Sequence, residues 1–105
     1  MNLDVEYDGV IHNVTAADIH EGLAKLNSTG PRFAVLDKGP HFYIQAYVVD
    51  SGDLDVGYRD GGPDRAYESP RPQPRAAVIA AFLSYLHGDN RWRTAFEWRR
   101  TEPDQ

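Results

Sequence analysis

Residues 41–60 read HFYIQAYVVDSGDLDVGYRD. Two runs of alternating apolar and polar residues flank one short turn in this stretch. Runs rich in β-branched and aromatic residues predict strands, and a short turn between two of them predicts an antiparallel hairpin. This hairpin sets the fold class, because strands joined by short turns build an antiparallel meander.

The length of the turn decides which residues of the second strand face the core. A loop with an even number of residues would place Asp55 and Arg59 on the core face, which is costly for unpaired charges. An odd loop, or a bulge at residues 50–53, exchanges the two faces. We therefore predict the odd loop, which brings three apolar residues to the core face: Leu54, Val56 and Tyr58.

The strand before this hairpin is predicted from RFAVLDK, residues 32–38. If Asp37 pairs with Phe42 across the turn at Lys38–Pro40, one face of the two strands is apolar. That register predicts the following core face: Phe33, Val35, Phe42, Ile44, Ala46 and Val48. The opposite face then carries Tyr43, Gln45, Tyr47 and Val49.

Two helices complete the expected fold. Residues 15–27 predict one that begins at Thr15, and residues 75–88 predict another that ends at Gly88. We predict one strand over residues 3–14, either straight or bent at Gly9, a short strand near residues 65–69, and a closing strand over residues 91–98. The tryptophans of that last segment, Trp92 and Trp98, are interpreted as structural. The predicted fold class is α+β, with an antiparallel β-meander sheet and two helices packed on one face, in a single domain spanning residues 1–105.

The composition excludes several classes of function. The chain has a net charge of −5 and no cysteine, so thiolate metal sites and disulfides are excluded. An acidic surface repels the phosphates of nucleic acids, and no apolar run is long enough to span a membrane. The first ten residues do not have the pattern of a signal peptide, so we expect a cytoplasmic protein.

The chain shows no catalytic or cofactor motif. The run DLDVGY fails the calcium-loop pattern, and HEGLA lacks the second histidine of a zinc helix. No serine lies in a nucleophile motif, and no phosphate-binding loop is present. We therefore predict no catalytic residue, no metal site and no cofactor. Paired carboxylates of a small hydrolytic enzyme remain an alternative, because such pairing is spatial.

The residues that stand out in the sequence are explained better by binding to a partner than by catalysis or metal binding. Residues 50–69 hold six carboxylates and two basic residues, which favours a basic partner surface over a metal. Tyrosines on a sheet face are typical anchors of protein interfaces. The predicted partner-binding residues are Asp53, Asp55, Asp60, Asp64, Glu68, Tyr43 and Tyr47.

Two segments resemble a known family. YVVDSGDLDVGYRDGGPDRAYES, residues 47–69, and AVIAAFLSYLHGDNRWRTAFEW, residues 77–98, resemble the Imm1-type immunity proteins of bacterial polymorphic toxin systems. The resemblance implies a small, non-enzymatic cytosolic protein that neutralises a cognate toxin domain by binding it, and the toxins associated with the family include deaminases. The alternatives are a small ligand-binding or hydrolytic α+β enzyme that uses clustered carboxylates, and a homodimer formed through the tyrosine face.

Overall fold

The computed structural model describes residues 1–101 and contains one seven-stranded antiparallel sheet. The strand order across the sheet is β2-β1-β3-β4-β5-β6-β7. The strands are β1 (Asn2–Val5), β2 (Gly9–His12), β3 (Phe33–Gly39), β4 (Phe42–Val48), β5 (Leu54–Asp60), β6 (Ala66–Glu68) and β7 (Arg99–Arg100). The helices are α1 (Ala16–Ala24), α2 (Arg75–His87) and α3 (Arg91–Ala95).

The predicted α+β class is confirmed. Strands β3 to β6 are consecutive in the chain and adjacent in the sheet, which makes them an antiparallel meander. Helices α1 and α2 share one hydrophobic core with a single face of the sheet. The other face of the sheet carries no helix among residues 1–101, and it is called the open face below.

The β4–β5 hairpin has the predicted odd loop. The backbone N–H of Val49 donates to the carbonyl oxygen of Asp53 at 2.9 Å, which leaves three residues at the tip, with Gly52 at a φ of 91°. Val48 consequently pairs with Leu54. Leu54, Val56 and Tyr58 are buried on the core face and Asp55 is exposed, as predicted from the cost of burying a charge.

The predicted register of β3 is wrong by one residue. Phe33 pairs with Tyr47, Leu36 pairs with Ile44, and a bulge between Asp37 and Gly39 absorbs the extra residue. Ala34 and Leu36 are therefore the fully buried residues of β3, while Phe33 and Val35 lie on the open face. The physical reason is the same charge cost, because the predicted register would have turned Asp37 inward.

On β4, the prediction is correct for Ile44, Ala46 and Val48, which are buried. Phe42 was also assigned to the core, but its side chain is 42% exposed. Phe42 lies at the start of β4, beside the bulge in β3, and pairs with Asp60 at the end of β5. It therefore sits at the margin of the core.

The N-terminal segment forms two strands where one was predicted. Gly9, at a φ of 79°, begins β2 immediately after a tight turn that includes Tyr7 at a φ of 70°. Strands β1 and β2 pair as an antiparallel hairpin, and β1 also pairs with β3. The chain therefore reverses direction at Gly9 and does not merely bend within one strand. Glycine suits this position because it adopts a positive φ without steric strain.

The C-terminal segment is helical where a strand was predicted. Residues Arg91–Ala95 form α3, and Arg99–Arg100 pair with β6 as β7. The backbone N–H of Trp92 donates to Ser84 Oγ of α2 at 3.1 Å, which secures the first turn of α3 from outside the segment. Trp92 is buried against Tyr58 and Tyr85, so its structural assignment is confirmed.

The predicted helix ends are correct where a local signal marks them. Thr15 accepts from the backbone of Asp18, whose carboxylate accepts in return from the backbone of Thr15. This reciprocal pair begins α1. Gly88, at a φ of 79°, ends α2 in the left-handed region. Apolar residues of both helices, and Leu26 just after α1, are buried in the core: Ile19, Leu23, Leu26, Val78 and Phe82.

Candidate functional site

The open face of the sheet holds a groove of about 710 Å³. It runs over β3, β4, β5 and β6 and reaches β7. Its apolar side is formed by Phe33, Val35, Tyr43 and Tyr47, and its charged side by Asp55, Glu68 and Arg99. Alternation along antiparallel strands explains this grouping, since every second residue of a strand points to the same face.

Gly57 is one of the residues that line the groove. It pairs with Gln45 of β4 on one side and with Glu68 of β6 on the other. A Cβ atom at this position would lie 3.0 Å from the backbone oxygen of Tyr67 and 3.7 Å from Gln45 Nε2. The absence of a side chain therefore permits the backbone of β6 and the side chain of Gln45 to pack closely against Gly57, which is buried.

The two tyrosines stand on the apolar side of the groove. Tyr47 is 47% exposed and pairs with Phe33 on β3 and with Asp55 on β5. Tyr43 is half-buried and pairs with Asp37 and Arg59 on the same two strands. Each ring is therefore available at the surface on a rigid strand, with a charged residue directly across from it.

The charges in the groove are unequally satisfied. Glu68 Oε1 accepts from Arg99 Nη2 at 2.9 Å, so these two side chains form an ion pair. Arg59 directs its Nε–H to the carbonyl oxygen of Gly61 at 2.9 Å. Within residues 1–101, Asp55 is exposed and forms no ion pair. The three charged residues that line the groove sum to −1, and Asp55 supplies the uncompensated charge.

Four of the seven predicted partner-binding residues thus share one surface. Tyr43, Tyr47, Asp55 and Glu68 lie on the open face and line the groove. The other three lie outside it. Asp53 closes the β4–β5 loop at one end of β5, and Asp64 is exposed in the turn beyond the other end.

Asp60 interacts with two arginines of the same protein. Its Oδ2 atom accepts from Arg93 of α3 at 3.1 Å and lies 3.5 Å from Arg65 Nη2. The side chain is 29% exposed. Arg93 also stacks over Trp92, with its guanidinium carbon 4.5 Å from the ring centroid. Asp60 therefore links the β5–β6 turn to α3 and is less available to a partner than its sequence position suggested.

Several groove residues were not predicted. The sequence pattern predicts Phe33 and Val35 in the core, and it does not point to Gly57 or Arg99. The positions of Phe33 and Val35 could have been predicted from the sequence. When the pairing of β3 with β4 shifts by one residue, Asp37 leaves the core, and Phe33 and Val35 move to the face that carries the tyrosines. Arg99 had no such signal, because its place beside Glu68 depends on how β7 returns to the sheet.

Residues 1–101 contain no group of three or more histidine, cysteine, aspartate or glutamate side chains arranged to hold a metal ion. The four histidines are all exposed: His12, His20, His41 and His87. Over the same residues, no helix is both long and apolar enough to cross a bilayer.

Comparison of the chain with protein-family models, with curated proteins and with solved structures finds no match.

Proposed function

We propose that this protein is a non-enzymatic binding protein that neutralises a cognate toxin domain by covering a basic surface of that toxin. One observation carries the proposal: Tyr47 stands directly across from Asp55, which has no ion-pair partner among the described residues, and Tyr43 lies on the same sheet face, over which those residues place no helix. Tyrosines on rigid strands are effective interface anchors, since their large rings lose little conformational entropy on binding.

The remaining exposed acids suit a role in association. Asp53 and Asp64 lie beyond opposite ends of β5, which has seven residues. Strand geometry separates those ends by roughly 20 Å. Charges spread over such a distance do not form one binding cluster, but together they attract a basic partner before contact.

The resemblance to Imm1-type immunity proteins supports a toxin as that partner. A toxin that acts on nucleic acid, as a deaminase does, needs a basic surface to hold phosphates. An acidic surface that carries aromatic anchors fits such a surface in both charge and chemistry. We propose a cytoplasmic location with the same role, because a toxin that acts on nucleic acid would have to be neutralised there.

The alternative is a small ligand-binding or hydrolytic enzyme that uses the groove carboxylates. A volume of about 710 Å³ lies in the usual range for a small-molecule site. However, Glu68 is engaged in the ion pair with Arg99, and Asp55 is the groove carboxylate without an ion-pair partner among residues 1–101. The groove therefore supports binding of a cationic group better than it supports acid–base chemistry by two carboxylates.

The test measures binding kinetics between the purified protein and the toxin domain encoded next to it. Tyr47→Ala is expected to speed dissociation tenfold or more, because interface anchors act mainly on the dissociation rate. Phe42→Ala is the matched control, since Phe42 is 42% exposed on the same strand but on the opposite face. It should leave the kinetics unchanged.

A second variant separates steering from anchoring. The double variant Asp53→Lys and Asp64→Lys should slow association, and this effect should weaken as salt shortens the Debye length below about 8 Å. The proposal fails if the wild-type protein neither binds the toxin domain nor protects cells that express it.

A further inference from the structure

We infer that two copies of this chain pair through the β2 edges of their sheets and form a symmetric dimer. The inference does not depend on the toxin proposed above, and the dimer uses a different surface from the tyrosine face. It follows from the outward backbone groups of β2, from the side chains that the pairing brings together, and from the contrast with the opposite edge of the sheet.

Strand β2 forms one edge of the sheet, and all four of its residues are exposed. Five large hydrophobic side chains are exposed among residues 1–101, and three of them belong to the β1–β2 hairpin: Tyr7, Val10 and Ile11. Val10 is 51% exposed and Ile11 is 38% exposed. The strand itself contains no lysine and no proline, which are residues that commonly protect an edge from pairing with another strand.

The hydrogen bonds of β1 fix the direction of the backbone groups on both of its sides. Glu6, just after β1, donates its backbone N–H to the carbonyl oxygen of Phe33, its partner in line with β3. Backbone groups alternate in direction along an antiparallel strand. Those of Asp4 therefore also point to β3, whereas those of Leu3 and Val5 point to β2.

The same alternation fixes which groups of β2 are free. Ile11 and Gly9 are the residues directly opposite Leu3 and Val5, so their backbone groups are used by β1. The N–H and C=O groups of Val10 and His12 consequently point away from the sheet. Strand β2 thus presents two donors and two acceptors along its outer edge.

A second β2 strand can satisfy all of these groups. When two copies lie antiparallel with Ile11 opposite Ile11 of the second copy, each Val10 lies opposite a His12. Each Val10–His12 pair then exchanges two N–H···O=C bonds, so the pairing makes four. A shift of one residue would place Val10 opposite Ile11, whose groups are used by β1, and would lose these bonds. The favoured register has a twofold axis through the Ile11 pair.

The side chains in this register are compatible with a second copy of the same molecule. Ile11 lies beside the buried Leu3, on the core side of the sheet, and the two Ile11 residues form a close pair with Cα atoms about 4.5 Å apart. The chain has a net charge of −5, but β2 contains no acid. Asp8, just before β2, is paired with Lys25 at 2.8 Å. Two acidic molecules can therefore meet here without acids directly opposite one another.

The opposite edge of the sheet does not offer an equivalent surface. Strand β7 has two residues, Arg99 and Arg100, and both are exposed. Short length and charged side chains protect an edge strand. Pairing of β2 with β7 of another molecule would match four residues with two and would leave further edges open, whereas pairing of β2 with β2 closes at two copies. The four-residue contact is small, so we expect a reversible dimer with a dissociation constant on the order of 100 μM.

Sedimentation of the purified protein between about 10 μM and about 1 mM, a range around the expected dissociation constant, measures this equilibrium. Val10→Pro removes an outward N–H, and proline is tolerated at such positions of an edge strand. It should weaken dimerisation at least tenfold, since two of the four bonds are lost by symmetry. Val10→Thr keeps the N–H and the β-branched shape and should dimerise within about threefold of wild type. The amide spectrum of each variant shows whether it is folded.

Cysteine variants test the register, because the chain contains no cysteine of its own. In a glutathione redox buffer, Ile11→Cys should form a disulfide-linked dimer, since Cα atoms about 4.5 Å apart lie within disulfide reach. Val10→Cys is the matched control on the same strand. Its two Cα atoms would be about 8 Å apart, which is beyond that reach.

A protein that stays monomeric at the highest concentration overturns the inference. So does a dimer that persists unchanged in the folded Val10→Pro variant, or that is lost in Tyr47→Ala, which would place the contact on the tyrosine face. Equal crosslinking of Ile11→Cys and Val10→Cys contradicts the proposed pairing. None of these results bears on toxin binding, which is measured separately.

Discussion

Ser84 and Trp92 join two helices through one buried hydroxyl group. The backbone N–H of Trp92 donates to Ser84 Oγ at 3.1 Å, and the hydroxyl of Ser84 donates to a carboxylate oxygen of Asp89. Ser84 is 4% exposed. A side chain of α2 therefore satisfies a backbone donor in the first turn of α3, where the helix itself provides no acceptor.

Ser84→Ala is expected to lower the free energy of unfolding by about 1–3 kcal/mol, because it leaves a buried backbone N–H without its acceptor. Urea denaturation followed by tryptophan fluorescence measures this change. Ser28→Ala, at an exposed turn position, is the control and should stay within about 0.5 kcal/mol of wild type. Equal unfolding midpoints for Ser84→Ala and wild type would show that the hydroxyl does not support α3.

The stability of the fold is expected to depend on pH through Asp89. Hydrogen bonds from the Arg91 side chain, from Ser84 and from the Arg91 backbone lower the pKa of Asp89 well below its usual range. A carboxyl group whose pKa is lower in the folded than in the unfolded protein stabilises the fold. This contribution is complete above the unfolded pKa, near 3.9, and is lost as the pH falls below that pKa. The stability difference between wild type and Asp89→Asn should therefore be larger at pH 6 than at pH 2.5.

Urea midpoints at several pH values measure that difference, and Asp64→Asn in the exposed turn serves as the control. A direct readout is the ¹³C shift of the Asp89 carboxyl, whose titration midpoint should lie below that of an ordinary aspartate. A midpoint near 3.9, together with a stability difference that does not change with pH, would contradict the prediction.

The register of β3 predicts unequal effects for neighbouring residues. Leu36 is fully buried, while Val35 lies half-exposed on the open face. Leu36→Ala should therefore cost about 2–5 kcal/mol of unfolding free energy, since it empties part of the core. Val35→Ala removes a partly exposed side chain and should cost less than about 1.5 kcal/mol. Chemical denaturation of both variants checks the order, and the reverse order would favour the register first expected from the sequence.

Two aspartates from the same acidic stretch should differ in their effect on folding. Asp60 interacts with both Arg93 and Arg65, whereas Asp64 is exposed in the turn between β5 and β6. Asp60→Lys places a positive charge against two arginines and should destabilise the fold by about 1 kcal/mol. Asp64→Lys should stay within about 0.5 kcal/mol of wild type. Thermal and urea melts compare them directly, and equal losses would mean that the Asp60 contacts contribute no stability.

The candidate site was predictable only in part. Tyr43, Tyr47 and Asp55 could be assigned to one face because alternation along β4 and β5 is a local property, and the odd loop joined the two strands correctly. Glu68 lies on that face as well. The roles of Gly57 and Arg99 could not be assigned, because each depends on how closely another strand approaches.

The sequence by itself determined the features whose causes lie within a few residues. Alternating apolar residues gave the meander, Thr15 with Asp18 gave the start of α1, and Gly88 gave the end of α2. The cost of burying Asp55 fixed the β4–β5 register. In each case the competing conformation is penalised by a charge, a backbone angle or a missing hydrogen bond that is visible in the segment itself.

Only the tertiary structure decided the features whose causes lie far along the chain. Residues 91–95 alternate as a strand would, yet they are helical, with Ser84 of α2 accepting from the backbone of Trp92 and Arg93 reaching Asp60. The acids of residues 50–69 lie in three different places: in the groove, in the turns and in a structural ion pair. They are separated because some lie on a face of strand β5 and others lie at its ends. Local pattern sets what a segment prefers, but contacts between distant segments decide which preference is satisfied.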